Sequence, residues 1–263
     1  TLYNTYNFFA LYANVDSFEY KEDSIPLEKR AEIDQWIVSK FNSLVKEVQE
    51  LYNTYEPTKA ARAIQEFTID HLSNWYVRLC RRRFWKGDYT DDKIAAYQTL
   101  FDCLLGVAKV SAPRSPFFTD ELYQNLTKVS GIESFESIHL AKFPEVDKKA
   151  INKDLESRME IAQKISSLVL GLRKKESIKV RQPLQKIMVP VLNPEFKGQL
   201  KEVESLILSE VNVKELEYLE DTSGVLVKTI KPNFKQLGPK FGKNMKLVAN
   251  WVNDLGQEDI AKM

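Results

Sequence analysis

"AEIDQWIVSKFNSLVKEVQEL", residues 31–51, decides the fold. Ile33, Ile37, Phe41, Leu44, Val48 and Leu51 recur at the i, i+4, i+7 spacing of one helix face, with Lys, Glu and Gln between them. An apolar stripe of that length must lie against other helices. The stretch before it, "DSIPLEKRAEIDQW", reads as the helix start, with Pro26 in the first turn and Glu28 near the positive end. "TYEPTK" at 54–59 ends it. Upstream, Leu2, Tyr6, Phe9 and Ala13 give a first helix. Downstream, a third starts at a Thr58 cap, runs through Ile64, Phe67, Leu72, Trp75 and Leu79, and ends at Gly87. Thr90 caps a fourth, with Ile94, Tyr97, Phe101, Leu104 and Ala108 inward. Ser115 and Pro116 open a fifth through Phe118, Leu122 and Leu126. Five helices with short connections make an antiparallel bundle over residues 1–143.

The pattern then changes. Residues 147–175 carry a narrow seam of Ile151, Leu155, Ala162, Ile165, Val169 and Leu172, close to a heptad, so a long helix packs back on the bundle. "RKKESIKVRQP" follows as a basic connector, and the two make a linker over 144–181. From 182 to 263 the period alternates: "LQKIMVPVL" as a strand, "NPEFKGQLKEVESLILSEV" as a helix capped by Asn193, and "VKELEYLE" as a strand. "DTSG" is a turn, "VLVKTIK" a third strand, and "MKLVANWVNDLG" a closing helix with Gly256 past its end. The fold class is mainly α: a helical bundle, a linker helix and a small α/β module.

Composition bounds the function. The 263 residues are 43% apolar and 29% charged, with 38 basic against 37 acidic side chains. No global field singles out a nucleic-acid partner. No apolar run approaches the ~18 residues of a membrane span. Cys80 and Cys103 lie far apart inside helical patterns, which suits buried thiols in a reducing compartment. "TLYNTYNFFALYANVD" has no basic flank or cleavage site, so it reads as the interior of a longer cytoplasmic chain rather than a signal peptide.

Charge is nevertheless clustered. "NWYVRLCRRRFWKGDY", residues 74–89, sets four arginines and a lysine among five aromatics. On a helix Arg78, Arg81, Arg82 and Trp85 share one edge, whereas Trp75 falls on the arc of Leu72 and Leu79 and is also a core candidate. Arginine forks bind phosphate and stack on bases; the competing reading has them shield the bundle and pair with acids. Arg173, Lys174, Lys175, Lys179 and Arg181 form a second cluster. From Val225 to Val252 there are lysines and no carboxylate, including Lys228, Lys235, Lys240 and Lys243. "LGPKFGKN" lacks the spacing of a phosphate loop and reads as a tight turn at Gly238 and Gly242. His71 and His139 have no partners at metal-ligand spacing. No nucleophile or paired-cysteine motif appears.

"TLYNTYNFFALYAN", "EKRAEIDQWIVSKFNSLVKEV", "YEPTKAARAIQEFTIDHLSNWYVRLCRRRFWK", "SIHLAKFP", "RKKESIKVRQPL" and "VKTIKPNFKQLGPKFGKN" together resemble the C-terminal region of isoleucyl-tRNA synthetases of the branch shared with eukaryotes. The match departs at Arg114 and Ser115, where that family carries apolar or small residues. The resemblance implies a helical anticodon-binding domain over 1–143, followed by a linker and a further module used in tRNA contact. It implies that the parent joins isoleucine to tRNA(Ile) with ATP and magnesium. The "HIGH" and "KMSKS" signatures of the catalytic domain are absent here, as is any editing domain. This part is therefore expected to be inactive alone, to carry no cofactor or metal, and to work as a monomer with tRNA(Ile) and the other domains of its polypeptide. The residues expected at the RNA are Trp75, Arg78, Arg81, Arg82, Trp85 and Lys86, then Arg173, Lys174, Lys175, Lys179 and Arg181, then Lys235, Lys240 and Lys243. A helical protein-interaction module is the alternative.

Overall fold

The computed structural model describes residues 1–86, 88–132, 135–191, 193–219 and 231–256. Gly87, Lys228, the turn expected at 221–224 and all but the last residue of the strand expected at 225–231 lie outside the described residues.

Helix α2 (Glu32–Asn53) is central, with Trp36, Ile37, Leu44, Val45 and Val48 buried. It starts later than the sequence suggests. Pro26 precedes a single tight turn, Leu27–Lys29, and Arg30 and Ala31 are extended. The cause is Arg30, which turns inward: its Nε donates to the Ile25 carbonyl at 2.9 Å and its Nη1 to Thr99 Oγ1 at 2.9 Å. A helical path through residue 30 would forfeit that tether.

The third expected helix is one unbroken rod in three parts: α3 (Pro57–Glu66), a π-wound stretch (Phe67–Val77) and α4 (Arg78–Trp85). Pro57 holds the first helical position and Glu56 the cap, so Thr58 is not the cap. The wider π turn brings Phe67, Leu72, Trp75, Tyr76 and Val77 all into the core. Helix α5 (Asp91–Ser111) is buried on nearly every face, as an element surrounded by others must be. Thr90 caps it by accepting from the Lys93 amide. Helix α1 (Leu2–Asp16) packs Phe9 against Tyr97 and Phe101 of α5, and Phe8 against Phe84 of α4. Helix α6 (Pro116–Ser130) has Pro116 in its first turn and ends at Gly131, whose φ of 65° suits glycine. Arg114, at the departure from the family pattern, donates to the Pro57 carbonyl and ties two loops together. Cys80 and Cys103 are buried and unbridged, and burial pushes the Cys80 thiol up to about 12.

Helix α7 (Lys153–Lys175) starts at an Asn152 cap rather than near 147. Its buried line is Leu155, Met159, Ala162, Ser166 and Arg173, so Leu172 faces solvent. Strands β1 (Leu184–Pro190) and β2 (Val213–Leu219) pair in parallel, Leu184 opposite Val213 and Pro190 opposite Leu219. The crossover is two helices, α8 (Pro194–Glu202) and α9 (Glu204–Val211), where one was expected; Val203 interrupts them. Leu200, Val203, Ile207, Val211, Val213 and Leu216 join the bundle core through α7. Helix α10 (Phe234–Phe241) occupies what the sequence suggested was a turn, and contains Gly238. Gly242, at φ 45°, makes the turn into α11 (Met245–Asn253). None of the residues of α10 or α11 is buried.

Candidate nucleic-acid interface

Four arginines in one turn and a half of helix would repel one another unless the fold disposes of some. One is taken inside. Arg83 grips the fully buried Asp34 of α2 with both forks, Nη1 to Oδ1 and Nη2 to Oδ2 at 2.8 Å each. Its Nε reaches Asp92 at 2.9 Å, and Tyr76 donates to the same Asp34 carboxylate at 2.6 Å. Burial opposes the Arg83 charge, but the Asp34 hydrogen bonds and charge outweigh it and hold the guanidinium protonated. This arginine fixes α4 to α2 and is not available to a ligand.

The others point out. Arg81, Arg82 and Lys86 are exposed, with no ion-pair partner among the described residues, and Trp85 is 49% exposed between them. Arg78 is also on the surface, but it pairs with Glu210 of α9. Burial raises the Glu210 pKa and the Arg78 charge opposes that rise.

Two of the expected contacts must be corrected. Trp75 is only 4% exposed; it lies with Leu72 on the inner face and receives the Arg78 guanidinium over its ring at 5.8 Å. Arg173 is 3% exposed and donates to the carbonyls of Lys179 at 3.2 Å, Gln182 at 3.0 Å and Asn212 at 3.0 Å. It folds the connector back onto the end of α9. The heptad through Met159 and Ser166 reaches residue 173, which is why an arginine continues a seam of core positions.

That inward Arg173 organises its neighbours. Asn212, which accepts from Arg173, donates to the Val180 carbonyl at 2.8 Å, and it stands two residues beyond Glu210. The end of α9 thus carries both the partner of Arg78 and an anchor of the connector, and Lys174, Lys175, Lys179 and Arg181 are all exposed. Lys235, Lys240 and Lys243 are exposed as well, on α10 and the turn after it, but those segments share no residue with the core. The first two clusters are each tied to α9, one through Arg78 and the other through Arg173, and the third lies on α10 and the turn after it.

Sequence reading missed the exposed Phe234, Phe241 and Trp251 of α10 and α11. The i, i+3, i+7 spacing of Phe234, Leu237 and Phe241 was a usable signal, masked by Gly238 and Pro239. A cavity of about 590 Å³ between α2, α3 and the start of α7 has a rim of mixed charge that includes Lys40, Arg62, Glu66 and Glu156. Among the described residues no three Cys, His, Asp or Glu side chains cluster as metal ligands, and no helix is long and apolar enough to cross a membrane.

The family model for the anticodon-binding domain of tRNA ligases matches residues 34–188. The chain is 57% identical over its whole length to the isoleucine–tRNA ligase of Bacteroides fragilis, and 56% identical over 99% of its length to that of Cytophaga hutchinsonii. It is 38% identical to the isoleucine–tRNA ligase of Clostridium novyi, again over its whole length. It spans 23–25% of the length of these relatives. The matched residues run from α2 to β1 and take in both the α4 edge and the connector; the chain belongs to the family of tRNA-ligase anticodon-binding domains.

Proposed function

We propose that this chain is the tRNA-holding part of a larger isoleucine–tRNA ligase, supplying binding energy and register while another part of the polypeptide carries out the ligation. The observation that carries this reading is the junction at the end of α9. There Arg78 of the α4 edge pairs with Glu210 and Arg173 of the second cluster binds the Asn212 carbonyl, so the segments that carry exposed Arg81, Arg82, Trp85 and Lys86 and exposed Lys174, Lys175, Lys179 and Arg181 are both tied to one short helix end. Cations fix phosphates, and an exposed indole offers a face for an unpaired base, the form in which an anticodon loop presents its sequence. Lys235, Lys240 and Lys243 extend the cationic surface on α10 and the turn after it. Trp75 and Arg173 act behind the surface.

ATP and magnesium belong, in this reading, to the catalytic part. The partners are tRNA(Ile) and the remaining domains of the ligase, which works as a cytoplasmic monomer, and this part alone is inactive.

The test is binding of labelled tRNA(Ile) against an unrelated DNA duplex at several salt concentrations. Preference for tRNA with a steep salt dependence is expected. Changing Arg81 and Arg82 together to Ala should weaken binding and lower the slope of log K against log salt by ~1–2 units. An unchanged slope removes this edge from the interface. Absence of tRNA binding at low salt, with a stable protein complex recovered, would favour a protein-interaction module.

A further inference from the structure

Arg78 and Glu210 form a pair that the seating of α9 does not require. Ile207 and Val211 already fix that helix in the core, and Arg173 binds the Asn212 carbonyl just past its end. Arg83 shows how this fold treats a structural arginine: its donors are taken up by buried Asp34 and by Asp92. Arg78 is held differently. Its Nη2 meets Glu210, its guanidinium lies over the Trp75 ring at 5.8 Å, and its Nε and Nη1 have no partner among the described residues. Glu210 has no other partner there. Its side chain is 13% exposed against 39% for Arg78, and burial pushes its pKa up while the Arg78 charge opposes the rise. A carboxylate so enclosed, facing one surface arginine through one contact, adds little to stability.

We infer that Glu210, which comes from the α/β unit, is a positioning residue for Arg78 of the bundle: with the Trp75 ring it holds the guanidinium in place so that the remaining donors meet an RNA phosphate. A guanidinium has five N–H donors, and the contact to Glu210 uses one. Its planar fork can therefore serve a carboxylate and a phosphate at once, which the point charge of a lysine does less well. Arg81 and Arg82 are exposed and have no ion-pair partner among the described residues, so each loses side-chain freedom when a phosphate binds. Arg78 has lost that freedom on folding, and the same contact costs less there. Glu210 does not cancel the site, because it is the more enclosed member of the pair, while Arg78 shares its helix face with Arg81 and Arg82 at i+3 and i+4. The inference rests on the tRNA reading for the nature of the ligand. It adds to that reading what the α/β unit does for the edge of the bundle: it supports a phosphate contact that it does not itself make.

The test measures binding of labelled tRNA(Ile) to the full chain and its variants at several salt concentrations. Arg78→Ala should lower the slope of log K against log salt by ~1 unit. Glu210→Ala should raise Kd roughly three- to tenfold, the cost of ordering one long side chain on binding. Glu210→Gln, which keeps an acceptor oxygen for Arg78, should stay near the parent. In a chain that already carries Arg78→Ala, Glu210→Ala should weaken binding no further, since its effect passes through Arg78. Equal weakening by Glu210→Ala with and without Arg78 would show that it only loosens α9, and overturns the inference. Tighter binding by Glu210→Ala overturns it too, because the carboxylate then acts only by repelling phosphate. If Arg78→Ala changes neither Kd nor slope while the Arg81 and Arg82 variant changes both, the inference fails and the proposed function stands; if no chain binds tRNA, both fail.

Discussion

At the scale of single residues, the fold separates arginines of one sequence run by what faces them. Arg83 meets a buried carboxylate and becomes structural, while Arg81 and Arg82, on the same turn, meet water. Spacing along α4 was enough to predict that Arg78, Arg81, Arg82 and Trp85 share an edge. It could not predict Glu210, which comes from a helix more than a hundred residues later and offsets Arg78. His71 shows the same dependence on remote groups. It sits in the π-wound stretch, edge-on to Trp36 and hydrogen-bonded to Gln163 of α7. Burial lowers its pKa and Lys40 adds to the effect, against Glu66, Asp70 and the Gln163 bond. The folded chain thus resists a proton that the unfolded chain accepts, so its contribution to stability is present above pH ~6.5 and is lost as pH falls below that value. His71→Gln should remove this slope, leaving urea midpoints at pH 7 and 5.5 closer together than in the parent. An equal pH dependence in both proteins would show that other groups carry it.

Helices were legible where their apolar periodicity is strong, as along the body of α2 and α6, or where a side chain caps them locally, as Thr90 does α5. They were misjudged where long-range contacts reset the backbone. Arg30 delays α2, Asn152 delays α7, and α10 forms in spite of its glycine and proline. The π winding of residues 67–77 leaves no obvious mark in the sequence, because it reflects how many large side chains must be buried at once. Contacts between elements can also be tested. A Cβ at Gly106 of α5 would stand 2.1 Å from Cζ of Phe41 on α2. Gly→Ala inside a helix ordinarily stabilises by about 1 kcal/mol. At this crossing Gly106→Ala should instead destabilise by ~1–3 kcal/mol, since the ring must be displaced from a packed interface. Adding Phe41→Leu should recover much of the loss, as urea denaturation of the single and double variants would show. A stabilised single variant would mean that the helices separate readily.

At the scale of the molecule, the bundle and the α/β unit share one core, whereas the last two helices stand apart from it. Sequence reading found the cationic clusters, but not that two of them are tied to α9, because Glu210 and Asn212 lie far from them along the chain. Arg173 holds that junction from inside. Arg173→Ala strands three carbonyls and should cost about 2–3 kcal/mol. It should also weaken tRNA binding by loosening the connector while leaving the salt slope unchanged, since no phosphate contact is lost. A slope reduced by ~1 unit would show that Arg173 itself reaches the RNA. The two cysteines have a consequence of their own. With both sulfurs enclosed and unbridged, an alkylating reagent at neutral pH can reach them only when helices part, so the rate of labelling at Cys80 and Cys103 is a built-in clock for the opening of the bundle, readable with and without bound RNA.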